Sequence, residues 1–369
     1  MIVKKITLHH IRMPLKTPFS NSLTTVTERD LILVEAEDEE GRTGWGECVV
    51  FTSPWYTEET VGTAWHVIGD FLVPLLLDRP LEHPSEIPDR FAPIRRHPMA
   101  KAALEGAIWD LWCRYRGLSL ARALGGSRDR IVAGAAVGSA DPATMLEEIR
   151  LRVEEGYRRI KVKIKPGADV EVLEPIRAEF PALPLMADAN SAYTLEDLDH
   201  LKYLDRFGLL MIEQPLDADD IVDHAKLQAE LSTPVCLDES LQSFGDVRQA
   251  LELGSCRVVN IKPGRVGGLT EAKRIHDHCR KRGIPVWCGG MLESGVGRAQ
   301  NIALASLEGF TLPGDLSASD RYWERDLIRP EVTVENGTLS VPLNLPGIGF
   351  EVDRDRLREA RLNKRTWEA

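Results

Sequence analysis

Cysteine pairs with the spacing of a metal knuckle or a redox motif are missing from this 369-residue sequence. Its six cysteines, at 48, 113, 236, 256, 279 and 288, form no CxxC and no regular framework, so reduced and mostly buried thiols in a cytoplasmic protein are expected. Positive charge is in deficit. With 46 Lys and Arg against 57 Asp and Glu, the net charge of −11 argues against nucleic acid or an anionic membrane as partner. Long apolar runs are also missing: FLVPLLL at 71–77 is far too short to span a bilayer, and MIVKKITLHH lacks the pattern of a secretory signal. None of the nine histidines falls where a barrel strand would end, and His276 with His278 reads as a surface helix. No Ser-His-Asp arrangement or phosphate-cradling loop stands out.

What is present is a period. Lys163, Asp188, Glu213, Asp238 and Lys262 follow one another at steps of 25, 25, 25 and 24 residues, and each closes a short apolar run. One strand, one helix and two loops need about 25 residues, the repeat of a (β/α)₈ barrel, in which residues at the carboxyl ends of strands converge on one mouth. Helices are expected at 169–180, 194–206, 219–231, 243–253, 268–282 and 297–308. An α/β fold follows, a (β/α)7-8 barrel over residues 126–319.

Residues 1–50 alternate apolar and polar as an antiparallel meander, with Glu40-Gly41 as a turn, and 58–124 carry helical spacing that Gly117 ends. Residues 1–125 are therefore read as an α+β capping domain, with lid loops at about 15–28 and 49–57. The tail, 320–369, contains VTVENGTLSV, a hairpin signal at Asn336-Gly337 that has no place in a parallel barrel. It is expected to pack back on the amino-terminal meander and complete the cap.

Three carboxylates with no histidine or thiolate beside them suit a hard divalent cation, Mg²⁺ or Mn²⁺, held by Asp188, Glu213 and Asp238. The plainer alternative for each is a helix cap. Lys161 and Lys163 lie two apart in one strand and so face the same way; repulsion and partial desolvation are expected to lower one pKa from about 10.4. Lys262 lies four units on, across the mouth. Arg265 could bias Lys262 or pair with a loop acid, and Asn190 could orient a ligand or a lysine. Glu293 and Ser294 stand in a glycine-rich turn that either binds a substrate carboxylate or is ordinary. Asp315 could equally be a cap. Phe19, Phe51, Trp55 and Tyr56 would give the lids an apolar face.

A KxK at the second barrel strand, Asp/Glu/Asp on the third to fifth and Lys on the sixth resemble the enolase superfamily, muconate-lactonizing subgroup. The strings LESGVGRAQNIALASL (292–307), LPGDLSASDRYW (312–323), KPGRVGG (262–268), MPLKTPF (13–19) and WGECVVFTSPWYTEET (45–60) are similar to the o-succinylbenzoate synthase / N-acylamino acid racemase family. The resemblance implies a Mg²⁺-dependent homo-oligomer acting on a small carboxylate. In it Lys163 abstracts the proton beside the carboxylate, Lys161 stabilises the enediolate, and Lys262 holds the intermediate or works on the opposite face. Dehydration and racemisation both fit. A muconate cycloisomerase or dipeptide epimerase fits these strings less well. A retaining glycoside hydrolase using Glu213 and Asp238 leaves the lysines unexplained.

Overall fold

A computed structural model describes residues 1–20, 24–138 and 141–369. Strand β1 (Val3–Ser20) pairs antiparallel with β2 (Thr25–Asp38), and β2 pairs with β3 (Thr43–Cys48). The β2–β3 turn closes at Gly41, whose φ of +78° suits glycine and whose N–H donates to the Asp38 carbonyl. Helix α1 (Pro98–Arg116) is buried nearly all round, as an element sandwiched between two layers must be. It lies so close to β3 that a Cβ at Gly46 would sit 2.0 Å from the Ala103 carbonyl oxygen. Residues 21–23 of the first lid loop lie outside the described residues. Its flanks are strand rather than loop, since Phe19 pairs with Val26 and Ser20 with Thr25.

From β4 (Ala135–Val137) the chain alternates: α2 (Pro142–Glu154), β5 (Ile160–Lys163), α3 (Asp169–Glu179), β6 (Leu185–Asp188), α4 (Leu198–Leu204), β7 (Met211–Glu213) and α5 (Ile221–Glu230). It continues with β8 (Val235–Leu237), α6 (Phe244–Leu253), β9 (Val258–Ile261), α7 (Leu269–Lys281), β10 (Val286–Cys288) and α8 (Gly295–Ala305). The seven parallel strands lie in sequence order. The eighth position is filled without a regular strand. Residues 310–315 bridge the two edges, with Leu312 N–H on the Val286 carbonyl, Asp315 N–H on Cys288 and Gly134 N–H on Gly314. The helix expected at 194–206 is regular only over 198–204, with 3₁₀ turns at both ends, and that expected at 297–308 runs from 295 to 305. Inside the ring, Met186, Met211, Cys236, Val258 and Trp287 form a separate apolar floor beneath the strand ends.

Two expectations fail. The tail hairpin does not lie on the meander: Thr338–Ser340 pairs with Arg130–Val132 at the foot of the barrel. Gly337 is locked there, because a Cβ on it would stand 1.7 Å from the Gly156 carbonyl oxygen. The element that does reach the cap is the last strand, β11 (Arg361–Glu368), paired antiparallel with β1. His276 is not on the surface; it is buried, stacks on Phe310 and accepts the Gly309 N–H. All six cysteines are free and buried. Among the described residues no helix is long and apolar enough to cross a membrane.

Candidate active site

Strand alternation sets the floor plan. On β5, Ile160, Val162 and Ile164 are buried in the outer core, which turns Lys161 and Lys163 inward. Register then aligns Lys163 with Asp188 and Asp188 with Glu213 on neighbouring strands. Asp238 and Lys262 come one residue past β8 and β9, and Pro263 starts a short helical turn that stops the strand. All five are brought to one mouth, and Lys163 and Lys262 stand on strands four places apart in the sheet order. One pocket is lined by Lys161, Lys163, Asp188, Asn190, Asp238, Lys262 and Asp315. Phe19, Phe51, Trp55, Tyr56, Met291, Leu292 and Tyr322 form its apolar side.

The ammonium groups are tied to carboxylates. Lys161 Nζ lies 3.0 Å from Glu213, 3.2 Å from Asp188 and 2.6 Å from Asp315. Burial works to lower its pKa, but Asp315, Glu213 and Asp188 outweigh it and hold the group well above the ordinary lysine value. The expected depression therefore does not occur at Lys161, because three close carboxylates outweigh both burial and repulsion from its neighbour. Lys262 is likewise held up against burial, first by Asp238, on which its Nζ rests at 2.7 Å. Lys163 donates to Asp188 at 2.6 Å and to Asn190 Oδ1 at 2.7 Å.

The acids divide. Burial opposes charge on Asp238, yet Lys262 and Arg265 hold it well below the carboxylate range. Glu213 goes the other way, pushed up to about 8 by burial and then by Asp188. Its Oε1 accepts from Asn260 Nδ2 at 2.8 Å. Glu239, buried beside Asp238, is pushed up to about 7 by burial and then by Asp238, and it accepts Asn190 Nδ2 at 2.9 Å.

Of the other sequence candidates, Tyr56 reaches across from the cap, donating to Asp238 at 2.9 Å and accepting from Lys262 at 3.0 Å. Phe19 lies 5.7 Å from Lys163 Nζ, and Phe51 packs on Trp55 with ring centroids 4.4 Å apart. Arg265 is not a pocket wall. Its buried guanidinium lies behind Asp238, bonded to that carboxylate and to the Leu241 and Asn260 carbonyls. Glu293 and Ser294 also turn away from this pocket. Glu293 accepts the Met291 N–H, while Ser294 caps α8 and donates to Glu47 at 2.5 Å. Asp315, which the sequence leaves open between the site and a cap, belongs to the site and pairs with both Lys161 and Arg159 at 2.6 Å. Asn260 had a readable signal, since it lies two before Lys262 and so shares its inward face. Arg159 had none.

Among the described residues no acidic, histidine or cysteine side chains are already gathered tightly enough to cage an ion, because each carboxylate leans on an ammonium or guanidinium instead. The donor set nevertheless fits a hard divalent cation. Asp188, Glu213 and Asp238 offer only oxygens, are all at most 2% exposed, and Glu213 remains short of positive charge even with Lys161 against it.

Fold and site together define a barrel enzyme in which lysines on opposite strands flank a row of buried carboxylates. An amino-terminal match to "Mandelate racemase / muconate lactonizing enzyme, N-terminal domain" covers residues 3–125, and "Enolase C-terminal domain-like" matches 144–356. The chain belongs to the enolase superfamily, whose members depend on a divalent metal. It is 59% identical to an o-succinylbenzoate synthase from Geobacillus kaustophilus, over 95% of this chain and 94% of that protein. It is 46% identical to an N-succinylamino acid racemase from Thermus thermophilus, over 95% of each. The crystal structure of an enolase superfamily member from Listeria innocua superposes with a TM-score of 0.97 at 43% identity, covering 100% of this chain and 99% of that one.

Proposed function

We propose that this chain dehydrates 2-succinyl-6-hydroxy-2,4-cyclohexadiene-1-carboxylate to o-succinylbenzoate, a step of menaquinone synthesis, and that the same site racemises N-acylamino acids. The observation that carries this reading is that Lys163 and Lys262, from strands four apart, line one pocket with Asp188 and Asp238 beside them. Asp188, Glu213 and Asp238 would hold Mg²⁺, which supplies Lewis-acid stabilisation of negative charge on the substrate carboxylate.

Lys163 removes the proton on the carbon next to that carboxylate, and Asn190 orients the lysine for it. Negative charge that develops as the proton leaves is met by the ammonium of Lys161, which Asp315 and Glu213 keep charged. In dehydration the proton on Lys163 passes to the departing hydroxyl as the C–O bond breaks, so water leaves and no net proton is consumed. Lys262 stabilises the other face. In racemisation Lys262 delivers a proton to the face opposite Lys163, and the roles reverse for the other enantiomer. The cap, residues 1–125 with β11 added at its edge, closes the mouth of the barrel and excludes water from the lysines.

Purified protein is tested with the cyclohexadiene and, separately, with N-acetylmethionine in D₂O, each with Mg²⁺ and with chelator. Turnover of the diene that stops with chelator supports the reading. No turnover of either substrate, or chelator-insensitive activity, sinks it. A dedicated racemase is the second reading, favoured by the likeness to the Thermus protein. Isotope exchange without diene turnover would select it.

A further inference from the structure

Arg29, on β2 of the cap, is only 1% exposed, and its five hydrogen bonds among the described residues all go to backbone carbonyls. Two of these are Val50 at 2.8 Å and Val49 at 2.9 Å, at the root of the lid segment 49–57. Two more are Met291 at 3.3 Å and Leu292 at 3.4 Å, in the turn after β10. The guanidinium carbon also stands 3.9 Å over the ring of Phe51. Phe51, Met291 and Leu292 are all walls of the active-site pocket. Leu292 has a φ of +52°, a conformation a leucine adopts only when its surroundings impose it. A buried guanidinium ordinarily seeks a carboxylate; here its planar fork is used to join two pieces of pocket wall that come from different domains.

We propose that Arg29 is a positioning residue that fixes the apolar wall of the pocket, and through it sets which acyl or side chain the enzyme accepts. This rests on the reading of that pocket as the substrate site. Arg29 touches none of the lysines or acids of the mouth, so its effect falls on the part of the substrate remote from the reacting carbon. The turn keeps other anchors when Arg29 is removed: Arg298 donates to the Glu293 carbonyl at 3.0 Å, and Glu293 holds the Met291 N–H. Loosening, rather than unfolding, follows.

The test compares wild type, Arg29→Lys and Arg29→Met by two measurements. Amide hydrogen exchange is read at 49–57 and 290–293. Steady-state kinetics are read on N-succinylalanine and N-succinylphenylalanine. In Arg29→Met, exchange is expected to rise in both segments together and not around 161–163 or 238. The ratio of kcat/KM for the large over the small side chain is expected to move by about tenfold or more, with KM carrying the change. Arg29→Lys, whose single ammonium cannot serve both segments, should fall between. An unchanged ratio, or exchange that rises in one segment only, overturns the proposal. If Arg29→Met does not fold, the same outcomes are read on Arg29→Lys. Should wild type racemise neither substrate, the racemase half of the proposed function fails, while the exchange data still judge whether Arg29 joins the two walls.

Discussion

Lys161, Lys163 and Lys262 share a pocket but not an environment. Lys161 is pinned by three carboxylates and lies 5.1 Å from the Trp287 ring centroid on the barrel floor, so it is built to stay charged and still. Lys163 has one carboxylate, one amide and the most exposed side chain of the three, at 15%. Lys163→Ala is therefore expected to abolish dehydration and deuterium exchange alike, whereas Lys262→Ala stops exchange of one enantiomer only; proton NMR in D₂O reads both. At the same scale, Asn260→Ala removes the donor that fixes Glu213 Oε1. Partners of this kind typically cost about 10–100-fold in metal affinity, so a weakening of Mg²⁺ binding by that factor is expected by calorimetry. Unchanged affinity would mean Glu213 does not bear on the metal.

Three helices in this molecule have donors at their starts held by acids distant in sequence. Glu59 accepts the Met99 and Ala100 N–H groups of α1, Glu105 those of Leu269 and Thr270 in α7, and Glu47 those of Ser294 and Gly297 by α8. Each buried acid satisfies orphan donors at a helix start and takes advantage of its positive end. Glu105 and Glu47 do so across the cap–barrel boundary, which is why the two halves interlock. Burial pushes both Glu47 and Glu59 up to about 7, despite the N–H groups they accept. Their folded values exceed the unfolded one, so their contribution is full below about 4.5 and is lost as pH rises through about 7. Unfolding free energy, measured with chelator present, is expected to fall over that window, and to fall less steeply in Glu47→Gln. An equal slope in the variant would count against a raised Glu47. Glu105→Ala leaves the buried Leu269 N–H and the part-buried Thr270 N–H without their acceptor, while Trp109 keeps Thr270 Oγ1, and should cost about 2–3 kcal/mol in denaturant titration.

For the whole molecule, the chain ends meet. β11 covers the edge of β1, and Trp367 sits so close to Gly69 that a Cβ there would be 2.5 Å from it. Removing residues 361–369 uncovers the edge of a sheet whose inner face is the cap core, so the melting midpoint should drop by several degrees in a single transition shared by cap and barrel. Two separated transitions would show the halves to be independent.

Alternation and the 25-residue step are local properties of the chain. The strand ends, the inward pair Lys161 and Lys163, and the row Asp188, Glu213 and Asp238 are therefore legible in the amino-acid order alone. Helix centres follow for the same reason, while their ends depend on caps such as Ser294. Other features arise only when the ring closes and the cap folds onto it. Asp315 meets Lys161 and Arg159 because residues 310–315 fill a gap between first and last strands. Tyr56 meets Asp238, and Arg29 meets Met291, because α1 and the β-sheet lie against the barrel. Strand periodicity fixes which side of a strand a residue faces; only tertiary closure fixes what it faces.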